Sequence, residues 1–204
     1  MLLKINSDKP EGRKIRSVGE TLRNGGLVIY PTDTVYALGC DSENEQAIDR
    51  LCKLRQLDPK NAMLTLLCQD LSQAAAYTPP LETGTFKFLK RNVPGPITFI
   101  LPSSKLVPKM FKNRKKTVGI RIPDHAITQA IVQELGRPLV TASLKSDDDI
   151  LEYFTDPETI FEAFKKQVAV VVDGGICGNT PSTIVDLTSE EPAVIRTGEV
   201  FPQW

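Results

Sequence analysis

The sequence predicts an α/β protein: a mixed, twisted, open sheet flanked by helices. Segments with apolar side chains at a helical period alternate with short apolar runs of strand length. Several of those runs follow one another with no helix between them, which calls for antiparallel as well as parallel neighbours. No internal repeat, low-complexity tract or linker interrupts the chain, so one domain is expected over 1–204.

The elements follow in order. Ile15, Val18 and Leu22 set a helical period after Pro10 that ends at Gly25-Gly26, residues suited to a helix stop. Runs 27–31 and 35–40 read as strands around the turn residues Thr32, Asp33 and Thr34. Residues 44–55 resume the helical period through Ala47, Ile48, Leu51 and Cys52, and 63–68 is a buried strand. Helices are expected at 70–77 and 83–92, before the Pro94-Gly95-Pro96 break, then strands at 97–102 and 117–123. A helix over 124–135 takes Asp124 as its cap and Gly136 as its stop. A strand at 138–143, a helix at 157–166 opened by Pro157, and strands at 168–173, 183–187 and 193–196 complete the chain.

Composition bounds the function. With 25 basic and 25 acidic side chains the net charge is zero, so any acidic partner must be met by local clustering. No stretch approaches the apolar length that spans a bilayer, and the first residues carry no secretory signal. Cys40, Cys52, Cys68 and Cys177 form no close pair, so free buried thiols in a reducing cytoplasm are expected.

Familiar machinery is missing. The one histidine, His125, sits at a helix start, where an ordinary surface role is expected rather than that of a triad base. No metal-ligand spacing occurs, and neither do the two common phosphate-loop motifs. What remains is hydroxyls and cations beside turns. Thr117 and Arg121 share one face of their strand, as Thr141 and Ser143 do of theirs. The turn 174–181 could offer backbone N–H groups to an anion. Arg121, between Ile120 and Ile122, calls either for a charged partner in a polar cleft or for the solvent face of an edge strand.

Taken together, the segments YPTDTVYALGCD (30–41), RLCKLRQ (50–56), VPGPITFIL (93–101), TVGIRIPDH (117–125), PLVTAS (138–143), PSTIVDL (181–187) and VIRTGEV (194–200) resemble the YrdC/YciO family over roughly 10–200. The resemblance implies the open twisted sheet with a positively charged concave cleft. It also implies an L-threonylcarbamoyladenylate synthase, which turns L-threonine, bicarbonate and ATP into threonylcarbamoyl-AMP and pyrophosphate for the modification of tRNA adenosine 37. By motif, Thr32, Arg121, Thr141 and Ser182 would hold threonine, with Arg121 on its carboxylate. Arg55, Thr117, Ser143 and Arg196 would face the nucleotide, with Mg²⁺ arriving on ATP. No covalent nucleophile is needed, because adenylation of a carbamate proceeds by positioning anions and neutralising phosphate charge.

Two motifs depart from the synthase pattern. Where it has KxRP, this chain has Arg55-Gln56-Leu57, so a lysine becomes Arg55 and an arginine becomes Leu57. Where it has SxN, this chain has Ser143-Leu144-Lys145, and Lys145 either offsets the lost arginine or pairs with Asp147 or Asp148. Both departures resemble the YciO branch. They leave two readings: a synthase-like enzyme of weakened or altered activity, and a non-catalytic RNA- or nucleotide-binding protein. The second draws on Lys105, Lys109, Lys112, Arg114, Lys115 and Lys116, which read as a weak contact for tRNA or double-stranded RNA or as a solvated loop.

Overall fold

Amphipathic periods close into helices and short apolar runs pair into one sheet. A computed structural model describes residues 1–58, 64–107, 116–145, 152–189 and 191–204. The helices are α1 (Gly12–Arg23), α2 (Glu45–Leu54), α3 (Leu71–Ala75), α4 (Thr83–Asn92), α5 (Ala126–Leu135) and α6 (Pro157–Phe164). The strands are β1 (Leu2–Lys4), β2 (Val28–Tyr30), β3 (Ala37–Asp41), β4 (Thr65–Leu67), β5 (Ile97–Pro102), β6 (Thr117–Arg121), β7 (Leu139–Ser143), β8 (Val170–Asp173), β9 (Thr183–Asp186) and β10 (Ala193–Arg196).

Local chemistry sets most boundaries. Asn44 accepts from the Ala47 N–H to start α2, Asp70 from Gln73 to start α3, and Asp156 from Glu158 and Thr159 to start α6. Gly136, at φ 76°, ends α5 in the left-handed conformation that a side chain would resist. The expected cap of α5 needs correction. His125, not Asp124, occupies the cap position, with no side-chain cap bond. Asp124 instead donates its backbone N–H to Asp33 Oδ2 at 3.0 Å. β1 has no signal of its own in the sequence; it exists because Leu2, Leu3 and Lys4 lie in parallel register with Val171, Val172 and Asp173.

The sheet runs β1-β8-β2-β3-β7-β4-β6-β5-β9-β10 and is mixed as expected. Pairs β1–β8, β2–β8, β4–β6 and β5–β9 are parallel, and the others antiparallel. Because successive side chains alternate, the strands β8, β2, β3, β7 and β4 feed two cores, one on each face. Ile29, Leu38, Leu66, Phe99, Ile120 and Val185 pack on one face under the apolar sides of α2, α3, α4 and α6. Val28, Tyr30, Ala37, Leu67 and Leu139 pack on the other under Ile15, Val18 and Leu22 of α1 and Ile127, Ile131 and Leu135 of α5. That second cover is narrower than the sheet. α1 and α5 lie over the β8–β2–β3 end, and the same face from β7 to β9 is left to line a cleft. The described residues include no helix long and apolar enough to cross a membrane.

Candidate functional site

The cleft has a volume of about 310 Å³, and cross-strand register builds its floor. Leu67 stands opposite Arg121, Arg121 opposite Thr98, and Thr98 opposite Ile184, so one row of side chains crosses four strands. Thr141 opposite Thr65 begins a second row. Thr65, Thr98, Thr141, Ser143 and Ser182 give this part of the sheet a hydroxyl lining where its other half is apolar.

Arg121 resolves the choice left open by the sequence. It lies in the interior of the sheet, between β4 and β5, and faces the cleft. Its side chain is 8% exposed, and Nη2 donates to Asp33 Oδ1 at 2.6 Å and to Thr34 Oγ1 at 3.0 Å. Burial draws its pKa down, while the Asp33 carboxylate opposes that shift. Its Nε is buried and has no hydrogen-bond partner among the described residues. Such an orphan donor costs about 1–3 kcal/mol until something accepts from it. Nothing in the sequence marked Asp33 as more than a turn residue.

The other expected threonine ligands are held by the fold. Thr32 Oγ1 donates to Val35 O at 2.7 Å and accepts from Thr34 N at 3.1 Å, so this hydroxyl shapes the turn whose wall it forms. Thr141 Oγ1 accepts from the Tyr30 hydroxyl at 2.8 Å. The phenol reaches it across Gly39, where a Cβ would stand 2.7 Å from the Tyr30 ring. Burial pushes the Tyr30 hydroxyl well above the usual phenol range, which keeps it a donor. Thr141 Oγ1 in turn donates to Leu38 O over a long 3.5 Å, so its hydroxyl is tied to both β2 and β3. Ser182 Oγ lies 2.9 Å from Thr98 Oγ1. Arg196 clamps the same residue, donating to Ser182 O from Nε at 3.1 Å and Nη2 at 2.7 Å. Arg196 lines the cleft, as expected, but with two of its nitrogens spent on a backbone carbonyl.

Arg55, Leu57, Ser143 and Lys145 also line the cleft. Both departures from the synthase pattern, Leu57 and Lys145, thus face the same space as Arg121. Lys145 donates to Glu152 Oε1 at 2.9 Å and stands 5.8 Å from the centre of the Tyr153 ring. Among the described residues its acidic partner is Glu152; Asp147 and Asp148, the partners expected for it, lie with Asp149 outside the described residues. Lys145 pulls the Glu152 carboxyl below its usual range. Thr65, Thr98 and Tyr153 complete the lining without having stood out in the sequence, since threonines in strands are ordinary.

Other expectations fall elsewhere. Thr117 shares the face of Arg121 but sits at the far end of β6, beyond Gly119, and is not part of the cleft wall. The 174–181 turn cannot offer a full set of N–H groups to an anion. Gly174 donates to Tyr36 Oη, Gly175 to Asp173 Oδ1 and Cys177 to Thr155 O. His125 is half-buried, 3.3 Å from Thr128 Oγ1, and burial lowers its pKa; it is not in the cleft wall. Of the basic stretch, Lys105 and Lys116 are exposed, and Lys109, Lys112, Arg114 and Lys115 lie outside the described residues. All four cysteines are free; Cys40, Cys52 and Cys68 are buried and Cys177 is half-buried. Burial lifts the Cys177 thiol to about 11.

Fold and cleft together define an open-sheet α/β protein with a hydroxyl-lined cleft around a buried arginine. Residues 20–198 match the Sua5/YciO/YrdC family, described as "Telomere recombination", and the chain belongs to that family. It is 40% identical to YciO of Escherichia coli over 95% of this chain and 93% of that protein. The crystal structure of that YciO superposes with a TM-score of 0.91 at 39% identity, covering 97% of this chain and 95% of that one. A threonylcarbamoyl-AMP synthase of Pseudoalteromonas translucida is 33% identical over 81% of this chain and 88% of its own. The crystal structure of Pyrococcus abyssi Sua5 complexed with L-threonine superposes with a TM-score of 0.86 at 28% identity, over 97% of this chain and 57% of that one.

Proposed function

We propose that this protein binds L-threonine and ATP in the cleft and forms threonylcarbamoyl-AMP, with Mg²⁺ carried in on the nucleotide. The observation that supports this most is Arg121 on the floor of a hydroxyl-lined cleft: Asp33 and Thr34 take only its Nη2, which leaves the Nη1 N–H groups for a carboxylate. Family membership supports the activity, and the L-threonine complex of Pyrococcus abyssi Sua5 supports the substrate. In this reading the threonine carboxylate takes Arg121, and its hydroxyl meets Thr141 or Ser182. Its amino group and bicarbonate condense to a carbamate with loss of water; a carbamate oxygen then bonds to the α-phosphorus as the bond to pyrophosphate breaks, and pyrophosphate leaves. Arg55, Ser143 and Arg196 would face the phosphates and the outgoing pyrophosphate. No group of acids, histidines or cysteines among the described residues is arranged to hold a metal. Among the described residues no acid lines the cleft, and the acids beside it, Asp33 and Glu152, pair with Arg121 and Lys145, an inventory suited to Mg²⁺ held chiefly by phosphates and water. Four free thiols suit a cytoplasmic setting.

Leu57 in the cleft wall and the Lys145–Glu152 pair favour a second reading, a nucleotide- or RNA-binding protein with little turnover. Weak tRNA or double-stranded RNA contact through exposed lysines belongs to that reading, and it should fall steeply with added salt. Calorimetry separates substrate binding from turnover. L-threonine should bind the native chain and lose at least tenfold in affinity on Arg121→Lys, which keeps the charge and removes the fork. No binding, or binding indifferent to Arg121→Lys, would overturn the assignment.

A further inference from the structure

Asp33 and Arg121 form a pair at 2.6 Å with side chains only 10% and 8% exposed. Asp33 cannot swing away, because its second oxygen also accepts from the Asp124 N–H at 3.0 Å. The Arg121 part of the cleft is therefore a nearly neutral unit, and what it still offers a ligand is the directional N–H groups of Nη1, since Nη2 is taken by Asp33 and Thr34 and Nε is buried. Lys145 and Glu152 are built differently. Their side chains are 55% and 60% exposed, so the pair sits in water, where such contacts are weak and open readily. An anion entering the cleft thus meets a fixed carboxylate behind the donor at Arg121, and at Lys145 a cation that can turn to meet it.

The charge on the incoming group decides where it settles. A monoanionic carboxylate gains a charge-assisted hydrogen bond at Arg121 against a single carboxylate that the guanidinium already compensates. A phosphate or pyrophosphate carries two or more charges, which multiplies its repulsion from Asp33 in a part of the cleft with little water to screen it.

We propose that Asp33 is the specificity-determining residue of the cleft. It restricts Arg121 to the carboxylate of a small monoanionic or zwitterionic ligand and directs phosphate to the part of the cleft lined by Arg55, Ser143 and Lys145. The inference rests on reading Arg121 as a carboxylate anchor, and it goes further by assigning the residue that keeps phosphate out.

Calorimetric titration of inorganic pyrophosphate into three proteins tests it: the native chain, Asp33→Asn and Asp33→Asn/Arg121→Met. Asp33→Asn should bind pyrophosphate at least tenfold more tightly, roughly the effect of a single pair of unit charges ~10 Å apart at an effective dielectric constant near 20. The gain should vanish in the double variant. Absence of a gain, or a gain that survives loss of Arg121, overturns the proposal. Should Asp33→Asn fail to fold, the native chain decides: saturating pyrophosphate should leave the affinity for L-threonine within twofold. A tenfold loss would place phosphate at Arg121 and overturn the filter. If L-threonine does not bind at all, the anchor reading fails on its own while the Asp33→Asn titration still stands.

Discussion

Replacing Arg121 by Ala should cost stability as well as binding. The change removes a guanidinium that is 93% buried by the complement of its 7% exposure, and it strands the Asp33 carboxylate. Breaking a buried ion pair from one side costs about 3–5 kcal/mol, because the remaining charge loses its partner. Two features reduce that figure. Asp33 keeps the Asp124 N–H, and the variant no longer carries the orphan Nε–H, whose burial costs about 1–3 kcal/mol. The net loss is about 2 kcal/mol, or about 4–8 °C in the thermal midpoint for a chain of this size. The assay is differential scanning calorimetry of the ligand-free protein beside Arg121→Ala/Asp33→Asn, which removes the stranded charge and should recover at least half the loss. A midpoint for Arg121→Ala within 1 °C of the native value would refute the reasoning. So would a double variant no more stable than the single one.

Gly39→Ala should displace Tyr30, since the added Cβ would lie 2.7 Å from its ring; we expect a loss of about 2–3 kcal/mol in denaturant unfolding and weaker L-threonine binding. Leu57→Arg with Lys145→Asn restores the arginine and the asparagine of the synthase pattern in the cleft wall and should raise both ATP affinity and adenylate formation severalfold, measured by calorimetry and product assay. Asp156→Ala should cost about 1 kcal/mol through loss of the α6 cap, read as a lower thermal midpoint at neutral pH. Hydrogen bonds from the Thr159 hydroxyl and N–H hold the Asp156 carboxyl below its usual range. Its stabilisation is therefore complete above the ordinary carboxylate pKa and is lost as pH falls through the lower folded value, so native and variant midpoints should converge in acid.

Much of this was legible in the sequence because it is local. The helical periods of α1, α2 and α5 report one apolar stripe each, and the stripes are what the two cores bury. Arg121 stood out because a cation between two isoleucines in a strand needs a reason. What escaped notice depends on distant register. β1 exists through a partner some 170 positions along the chain, and a three-residue edge strand carries no pattern of its own. Asp33 looks like any turn aspartate until β6 brings Arg121 beside it. Arg196 reads as a free cation, yet a strand bulge beside it and the Ser182 carbonyl set its orientation. Thr65 and Thr98 become cleft residues only once the strand order places them around Arg121.

The most direct test of the proposed function is turnover by the native chain. Purified protein incubated with ATP, Mg²⁺, bicarbonate and L-threonine would be analysed by mass spectrometry for threonylcarbamoyl-AMP and by coupled assay for pyrophosphate. The proposed reading predicts that both appear together, depend on bicarbonate and on L-threonine, and fall at least a hundredfold with Arg121→Ala. Binding of L-threonine and ATP with neither product formed, under conditions in which a threonylcarbamoyl-AMP synthase run alongside turns over, would contradict it.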